Sequence, residues 1–406
     1  MPLKVLFLTD NFPPEVNAPA TRTYEHCREW VKKGTEVTVL TCFPNYPQGK
    51  IYSGYKNKFY QIEYIDGIKV IRLWSYVTAN EGFVKRILDY VSFAFMAFWA
   101  GLFKKTDIIV ATSPQFFTAV AGGALGFFKR IPWVFEVRDL WPESIRAVNA
   151  LKQSKILDAL EQLELFLYRK ATRIVVVTEA FKENIARRGI DPSKIDIVKN
   201  GVILNAFLPR PKDAELIEKL GLKEKFVVAY MGTHGMAHKL DFLIKSAKKI
   251  TDSSIQFVFI GDGAEKTHLL KLIETEKPQN VLLLPSVSKS EIATYISITD
   301  VALVNLKKSD TFKTVIPSKI FENAAMQKPI LLGVEGESQE IIEKYQAGIC
   351  FEPENESDFI EKLAKLKNDK VFYQQSQEGC ELLANDFNRI ELAHRLLNIL
   401  QDLIKT

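Results

Sequence analysis

A chain of 406 residues is long for a single domain and suggests two of about 200 residues each. With 47% hydrophobic and 25% charged residues it is an ordinary globular protein, which excludes a disordered one. Residues 1–205 carry 28 Lys and Arg against 20 Asp and Glu, and the rest 26 against 29, so the first half suits an anionic surface.

No basic block is interleaved with aromatics, so phosphates or anionic lipid heads are expected partners rather than nucleic acid. Cys27, Cys42, Cys350 and Cys380 are scattered, without C-x-x-C or companion histidines at metal spacing. That argues for a reducing compartment and against a zinc site or a disulfide framework. The opening "MPLKVLFLTD" reads as a buried strand running into a loop, with an apolar run too short for a secretory signal, so a cytosolic location is expected.

Along the chain, short apolar runs alternate with helical stretches. "KVLFLTD" (4–10) is followed by a helix near 21–33, then "EVTVLT" (36–41) and "KVIRLW" (69–74). Next comes "ILDYVSFAFMAFWAGLF" (87–103), almost wholly apolar between Lys85-Arg86 and Lys104-Lys105. At 1.5 Å per residue it spans roughly 25 Å, short of a ~30 Å hydrocarbon core, so a membrane-spanning helix is not expected. Either it packs against a sheet, or it is partly exposed and dips into a membrane face while its basic flanks meet lipid phosphates.

The strands resume at "DIIVAT" (107–112), "WVFEVRD" (133–139) and "RIVVVT" (173–178). A second series follows: "FVVAYMG" (226–232), "IQFVFIGDG" (255–263), "VLLLP" (281–285), "VALVNL" (301–306) and "PILLG" (329–333). Runs buried on both faces and separated by helices indicate parallel sheets, and two series indicate two doubly wound α/β domains. The seam falls in "VKNGVILNAFLPRPKD" (198–213), where Asn200-Gly201 signals a turn and Pro209 and Pro211 interrupt regular structure. The expected division is 1–204 and 205–385, with an amphipathic helix in 386–406 crossing back to the first domain.

Ligands of open α/β sheets lie beyond the carboxyl ends of the strands, so the loops there are the places to search. In "TDNFPPEVNAPATRTYEH" (9–26), Asn17 precedes a helix whose free N–H groups favour an anion, and Arg22 lies in its first turns; otherwise this is a surface loop. In "FEVRDLWPES" (135–144), Arg138 and Asp139 end a buried strand before Trp141-Pro142 turns the chain. They could hold a sugar hydroxyl or steady developing charge; the alternative is a structural ion pair.

In "YMGTHGMAHKLDFL" (230–243), Gly232 and Gly235 bracket a turn that lets backbone approach a phosphate, with Thr233 and Lys239 beside it. His234 and His238 lack metal-ligand companions. "GDGAE" (261–265) and "LPSVSKSEI" (284–292), which includes Val287, offer backbone to a base edge.

"PSKIFENAAMQKPI" (317–330) puts one carboxylate, Glu322, into an apolar helix. Pro317 and Ser318 suit a helix start, and Lys319 adds charge that would attract a diphosphate. Glu322 can accept from two vicinal hydroxyls, as on a ribose, or simply complement the helix dipole.

Taken together, "NFPPEVNAPATR", "GTEVTVLTCFPNYPQG", "EVRDLWPES", "VKNGV" and "PSKIFENAAMQKPI" resemble glycosyltransferase family 4, and look closest to its WbuB-like bacterial branch. The resemblance implies a GT-B fold: two doubly wound Rossmann-like domains facing a central cleft. It implies a retaining enzyme needing no metal cofactor, and no D-x-D motif is present. The donor would be a nucleotide sugar, UDP-linked, held by the second domain. By the family pattern Glu322 holds the ribose, Pro317 to Lys319 the diphosphate, and Val287 lies in the base-contacting loop. Arg138 and Asp139 would be catalytic, on the acceptor side with Asn17 and Arg22.

The acceptor would be a polyprenyl-diphosphate-linked saccharide at the inner membrane face, and the product O-antigen, capsule or exopolysaccharide. Three positions depart from the pattern: Thr314 where many relatives have a first glutamate, Thr233 and His238 where most have Arg and Lys, and Asn17-Ala18 where a glycine pair is usual. Lys319 and Lys239 are the expected substitutes for the missing phosphate cations. The rival readings are a nucleotide-sugar epimerase and a non-catalytic nucleotide-sugar-binding subunit.

Overall fold

A computed structural model describes residues 2–46, 48–78, 83–141 and 155–405. The chain divides into two units: Met1–Asn200 with Arg389–Thr406, and Gly201–Asn388. The boundary thus falls at Asn200 rather than 204, and the return to unit 1 at Arg389 rather than 386. The turn expected at Trp141-Pro142 reaches outside the described residues.

Unit 1 holds β1 (Lys4–Leu8), β2 (Glu36–Cys42), β3 (Tyr60–Ile65), β4 (Ile68–Leu73), β5 (Ile108–Thr112), β6 (Trp133–Val137), β7 (Arg173–Val176) and β8 (Ile195–Ile197), in the spatial order β3-β4-β2-β1-β5-β6-β7-β8. All pairings are parallel except β3 with β4. Every residue of β5 and β6 is buried, because helices cover both faces, and this is why their sequences run apolar without alternating. β3 is the edge and alternates exposed with half-buried residues. It joins β4 through Asp66-Gly67, both at positive φ, the residue pair a two-residue hairpin requires.

Helix Ala18–Lys32 follows β1 and is covered by helix Arg389–Lys405. Ala393, Leu396, Leu397 and Leu400 enter one core with Val5, Phe7 and Trp30, and the Trp30 indole N–H donates to the Ala393 carbonyl at 2.8 Å. Helix Phe83–Leu102 buries Phe93, Ala97 and Gly101 against helix Phe116–Lys129. The approach is close: a Cβ on Gly101 would lie 2.6 Å from Leu125 Cδ1. So the apolar stretch packs inward on one face while leaving the other exposed. Among the described residues no helix is long and apolar enough to cross a membrane.

Unit 2 holds β9 (Phe226–Met231), β10 (Ile255–Ile260), β11 (Val281–Leu284), β12 (Val301–Asn305), β13 (Ile330–Gly333) and β14 (Gly348–Cys350), all parallel, in the order β11-β10-β9-β12-β13-β14. Connections leave β9 toward β10 on one side and β12 on the other, so the topological switch point lies at β9/β12. In unit 1 it lies at β1/β5. Crevices open at such points, beyond the strand ends, and this decides which loops can hold a ligand.

Candidate functional site

In unit 2 the loops after β9, β10 and β12 meet through backbone. The Gly232 N–H donates to the Ile260 carbonyl (2.9 Å) and the His234 N–H to the Asp262 carbonyl (2.8 Å). Gly261 adopts φ +153°, and a methyl group there would overlap the Gly232 carbonyl. Glycine is therefore required where the two turns touch. The Lys266 ammonium donates to the carbonyls of Gly261 (3.0 Å) and Leu284 (2.6 Å), tying the turn after β10 to the end of β11. Asn305, buried at the end of β12, donates to the His238 carbonyl at 2.9 Å.

Helix Lys319–Ala325 begins beside this platform. The Ile320 N–H donates to the Pro317 carbonyl and the Phe321 N–H to the Ser318 carbonyl, both at 3.1 Å. Ser318 already has helical dihedrals and its hydroxyl caps nothing, contrary to the expected N-cap. Ile320, Phe321, Ala324 and Ala325 face the core, where Phe321 stacks on Phe387 with centroids 4.8 Å apart. That buried face fixes where Lys319 and Glu322 can point.

Lys319 carries its ammonium into the platform. Its Nζ lies 3.8 Å from the centroid of the Tyr230 ring and would be 3.0 Å from a Cβ on Gly232. The ring is held by its own hydroxyl, which donates to the Thr233 carbonyl at 2.8 Å. The ammonium is buried and has no hydrogen-bond partner among the described residues. Burial pushes its pKa down to about 7, and the charge of Glu322, one helical turn on, works the other way. Glu322 itself is half-buried.

The other cations expected near a phosphate behave differently. Lys239 has left-handed dihedrals (φ +50°) and its ammonium pairs with Asp241 at 3.4 Å. Burial, with the Lys319 charge adding to it, pushes His238 down to about 3, so it is neutral at neutral pH. His234 is held near 4, first by burial and then by Lys266. Thr314 lies in the short 3-10 turn Asp310–Thr314, its hydroxyl donating to the Thr311 carbonyl at 3.0 Å. Val287 is half-buried and packs on the unit 2 core. Of the two lysines expected to replace the missing family cations, Lys319 is the one whose ammonium meets the glycine turn.

In unit 1 the predicted residues are largely engaged in holding the loops. The Asn17 carboxamide accepts from the Ala20 N–H (2.9 Å) and donates to Asn11 Oδ1 (2.8 Å), capping helix Ala18–Lys32. Arg22, expected on the acceptor side, is engaged within unit 1. It is 1% exposed, and its guanidinium donates to Glu136 Oε1 (3.0 Å), to the carbonyls of Val198 (2.9 Å) and Lys199 (2.8 Å) and to Asn200 Oδ1 (3.2 Å).

Burial alone would push the Glu136 carboxyl up, but Arg22 and Arg138 hold it below the usual range. Arg138 donates to the carbonyls of Pro19 (3.2 Å) and Ala18 (3.1 Å), so it clamps the start of that helix; burial lowers it to about 9. The N–H groups of Arg138 and Asp139 both donate to Ser113 Oγ, at 2.8 and 3.3 Å, joining the loops after β5 and β6. Trp141 stacks on Phe116 in the core, centroids 4.8 Å apart.

Sequence reasoning missed Tyr230, Asn305 and Lys266. Tyr230 and Asn305 are signalled only as polar tips within otherwise apolar strands.

Two separate parallel α/β units, each with loops gathered past the strand ends at a switch point, are the architecture of GT-B glycosyltransferases. A family profile described as "Glycosyl transferase 4-like domain" matches residues 17–201, and one described as "Glycosyl transferases group 1" matches residues 212–380. The chain belongs to the family 4 glycosyltransferases. WcaI of Escherichia coli K12, assigned by name to colanic acid biosynthesis as a glycosyl transferase, is 22% identical over 367 residues, covering 87% of this chain and 89% of its own.

The Escherichia coli UDP-Gal:alpha-D-GlcNAc-diphosphoundecaprenol alpha-1,3-galactosyltransferase is 23% identical over 265 residues, covering 64% of this chain and 67% of its own. Among solved structures, Anabaena HepE in complex with UDP superposes with a TM-score of 0.73 at 14% identity, covering 98% of this chain and 100% of its own. WaaG, a glycosyltransferase of lipopolysaccharide biosynthesis, gives a TM-score of 0.69 at 12% identity, with 97% and 99% covered. At such identities these likenesses are of fold.

Proposed function

We propose that the chain is a retaining, metal-independent glycosyltransferase of the WbuB-like branch, moving an N-acetylated amino sugar from a UDP-linked donor to a polyprenyl-diphosphate-linked saccharide. Its product would enter O-antigen, capsule or exopolysaccharide at the inner membrane face. The names of WcaI and WaaG support the pathway, the undecaprenol-linked acceptor of the galactosyltransferase supports the acceptor class, and the UDP bound to HepE supports the base.

The observation that carries the reading is the Lys319 ammonium, buried without an acceptor beside the Gly232 turn. A buried cation without a partner is costly, and a diphosphate seated on that turn would satisfy it. As the bond from the anomeric carbon to the phosphate oxygen breaks, negative charge grows on the diphosphate. A fixed ammonium in a dry setting stabilises that charge without reorganising, as a divalent ion would otherwise do. The acceptor hydroxyl bonds to the anomeric carbon from the same face and gives its proton to the departing phosphate. In this reading Glu322 accepts from the ribose hydroxyls, Val287 lies against the base, and Asp139 with Arg138 serves the acceptor on unit 1.

Lys319→Ala should weaken UDP-sugar affinity by about 10- to 100-fold, the worth of one charge-assisted hydrogen bond. Unchanged affinity and turnover would overturn the assignment. Above neutral pH, donor binding should take up a proton as Lys319 recharges, read by titration calorimetry in buffers of different ionisation enthalpy. A thermal-shift panel of UDP, GDP and ADP sugars fixes the base, and turnover insensitive to EDTA supports the metal-free chemistry. Donor rearrangement without acceptor would indicate the epimerase, and no turnover with any acceptor a binding subunit.

A further inference from the structure

Helix Phe83–Leu102 and the end of helix Phe116–Lys129 build one surface that the proposed chemistry does not use. Leu88, Val91, Phe95 and Trp99 are exposed and follow one another at three- and four-residue spacing, so they form a single stripe opposite the packed Phe93, Ala97 and Gly101. Phe103 continues the stripe and Phe127 joins it from the second helix, each 78% exposed. The rings form a connected chain: Phe95 to Trp99 (6.3 Å), Trp99 to Phe98 (5.5 Å), Phe98 to Phe128 (5.6 Å) and Phe128 to Phe127 (5.5 Å). The Lys129 ammonium donates to the carbonyls of Leu102 (3.0 Å) and Lys104 (2.8 Å), so the two helix ends are fixed together.

Among the described residues, the exposed charges of these two helices and their ends have one sign. Lys85 and Arg86 are exposed at its start, and Lys105 and Arg130 at its far end. The acid in helix Phe83–Leu102, Asp89, is 9% exposed, and helix Phe116–Lys129 has none. A protein partner would bring mixed charge, whereas an anionic bilayer supplies apolar chains for the rings and phosphates for the cations. At 20 residues the helix is about 30 Å long, and its packed inner face prevents it from leaving the unit to span a membrane. An in-plane position satisfies both constraints.

We propose that unit 1 docks on anionic lipid through this stripe, with helix Phe83–Leu102 lying in the headgroup plane. The stripe starts near the carboxyl edge of the sheet, where the Tyr76 N–H donates to Ser92 Oγ at 2.8 Å, and ends at the amino edge. A bilayer held along it lies beside the edge whose loops we assign to the acceptor. This use rests on the lipid-linked acceptor proposed above, whereas the docking itself does not.

The test is flotation of the full chain with vesicles of phosphatidylglycerol and phosphatidylcholine, against phosphatidylcholine alone, using brominated lipid to quench tryptophan. Trp30, Trp133 and Trp141 are buried and Trp74 is half-buried in a stack with Phe59, so the larger part of the quenching should come from exposed Trp99 and be lost in Trp99→Phe. Binding should require phosphatidylglycerol and fall by about tenfold or more in Lys105→Gln/Arg130→Gln, and likewise in Phe103→Ala/Phe127→Ala. These side chains are exposed, so the melting temperature should hold, as should UDP-sugar affinity, which keeps the donor assignment separate from this outcome. No vesicle binding, or binding without Trp99 quenching, overturns the proposal. So does self-association in place of vesicle binding, if Phe103→Ala/Phe127→Ala abolishes it, because the stripe would then face a second copy.

Discussion

Lys319 keeps an ammonium on the face of Tyr230 with nothing described to accept from it, whereas Arg22, equally hidden, has every nitrogen of its fork occupied. The two cations show why a buried charge is informative only with its partners. Arg22 is satisfied from within and holds together its helix, β6 and the exit from unit 1. Lys319 has no such partner among the described residues, so unit 2 bears the cost of its burial. The sign of that cost follows from the pKa, which burial lowers from 10.5 to about 7. The unfolded chain keeps the proton more tightly, so stability rises with pH between these values and is lowest at neutral pH and below. Lys319→Met should therefore raise the unit 2 melting temperature near neutral pH, by about 2–4 °C per kcal/mol gained, and the gain should vanish toward pH 10.5. A melting series across pH, without nucleotide, reads this directly.

Among the elements, the turn pair after β9 and β10 is the least tolerant of change. Gly261→Ala puts a side chain at φ +153° and into the Gly232 carbonyl, so the turn beside Lys319 must move. Donor affinity should fall at least about tenfold, while the melting of unit 1 stays in place; calorimetry of both transitions checks the pair of outcomes. The central strands were legible in the sequence because burial on both faces leaves an unbroken apolar run, as in "DIIVAT" and "VALVNL". β3, β8 and β14 were not. β3 is a half-exposed edge, and the other two are three residues long. At the site, Lys319 was legible as a charge beside a helix start. Its platform was not, because Tyr230 is brought from a strand 89 residues earlier by the fold alone. The partners of Arg22 were not legible for the same reason: its acceptors lie 114 to 178 residues away.

At the scale of the molecule, helix Arg389–Lys405 belongs to the unit its sequence neighbours do not. Removing 389–406 takes Ala393, Leu396, Leu397 and Leu400 out of the core around Trp30. At about 1.5–3 kcal/mol per buried large aliphatic side chain, the loss is on the order of 5 kcal/mol or more, comparable with the stability of a whole domain. The truncated chain should lose unit 1 to limited proteolysis and leave a resistant fragment of unit 2, as mass spectrometry would show. The same arrangement constrains biosynthesis. Residues through Asn200 leave the ribosome first, yet their hydrophobic face stays uncovered until Gly201–Asn388 has also been translated. At about 5–20 residues per second that interval is about 10–40 s. During it the nascent first half keeps that apolar face uncovered, while the second half can complete its own core as it emerges.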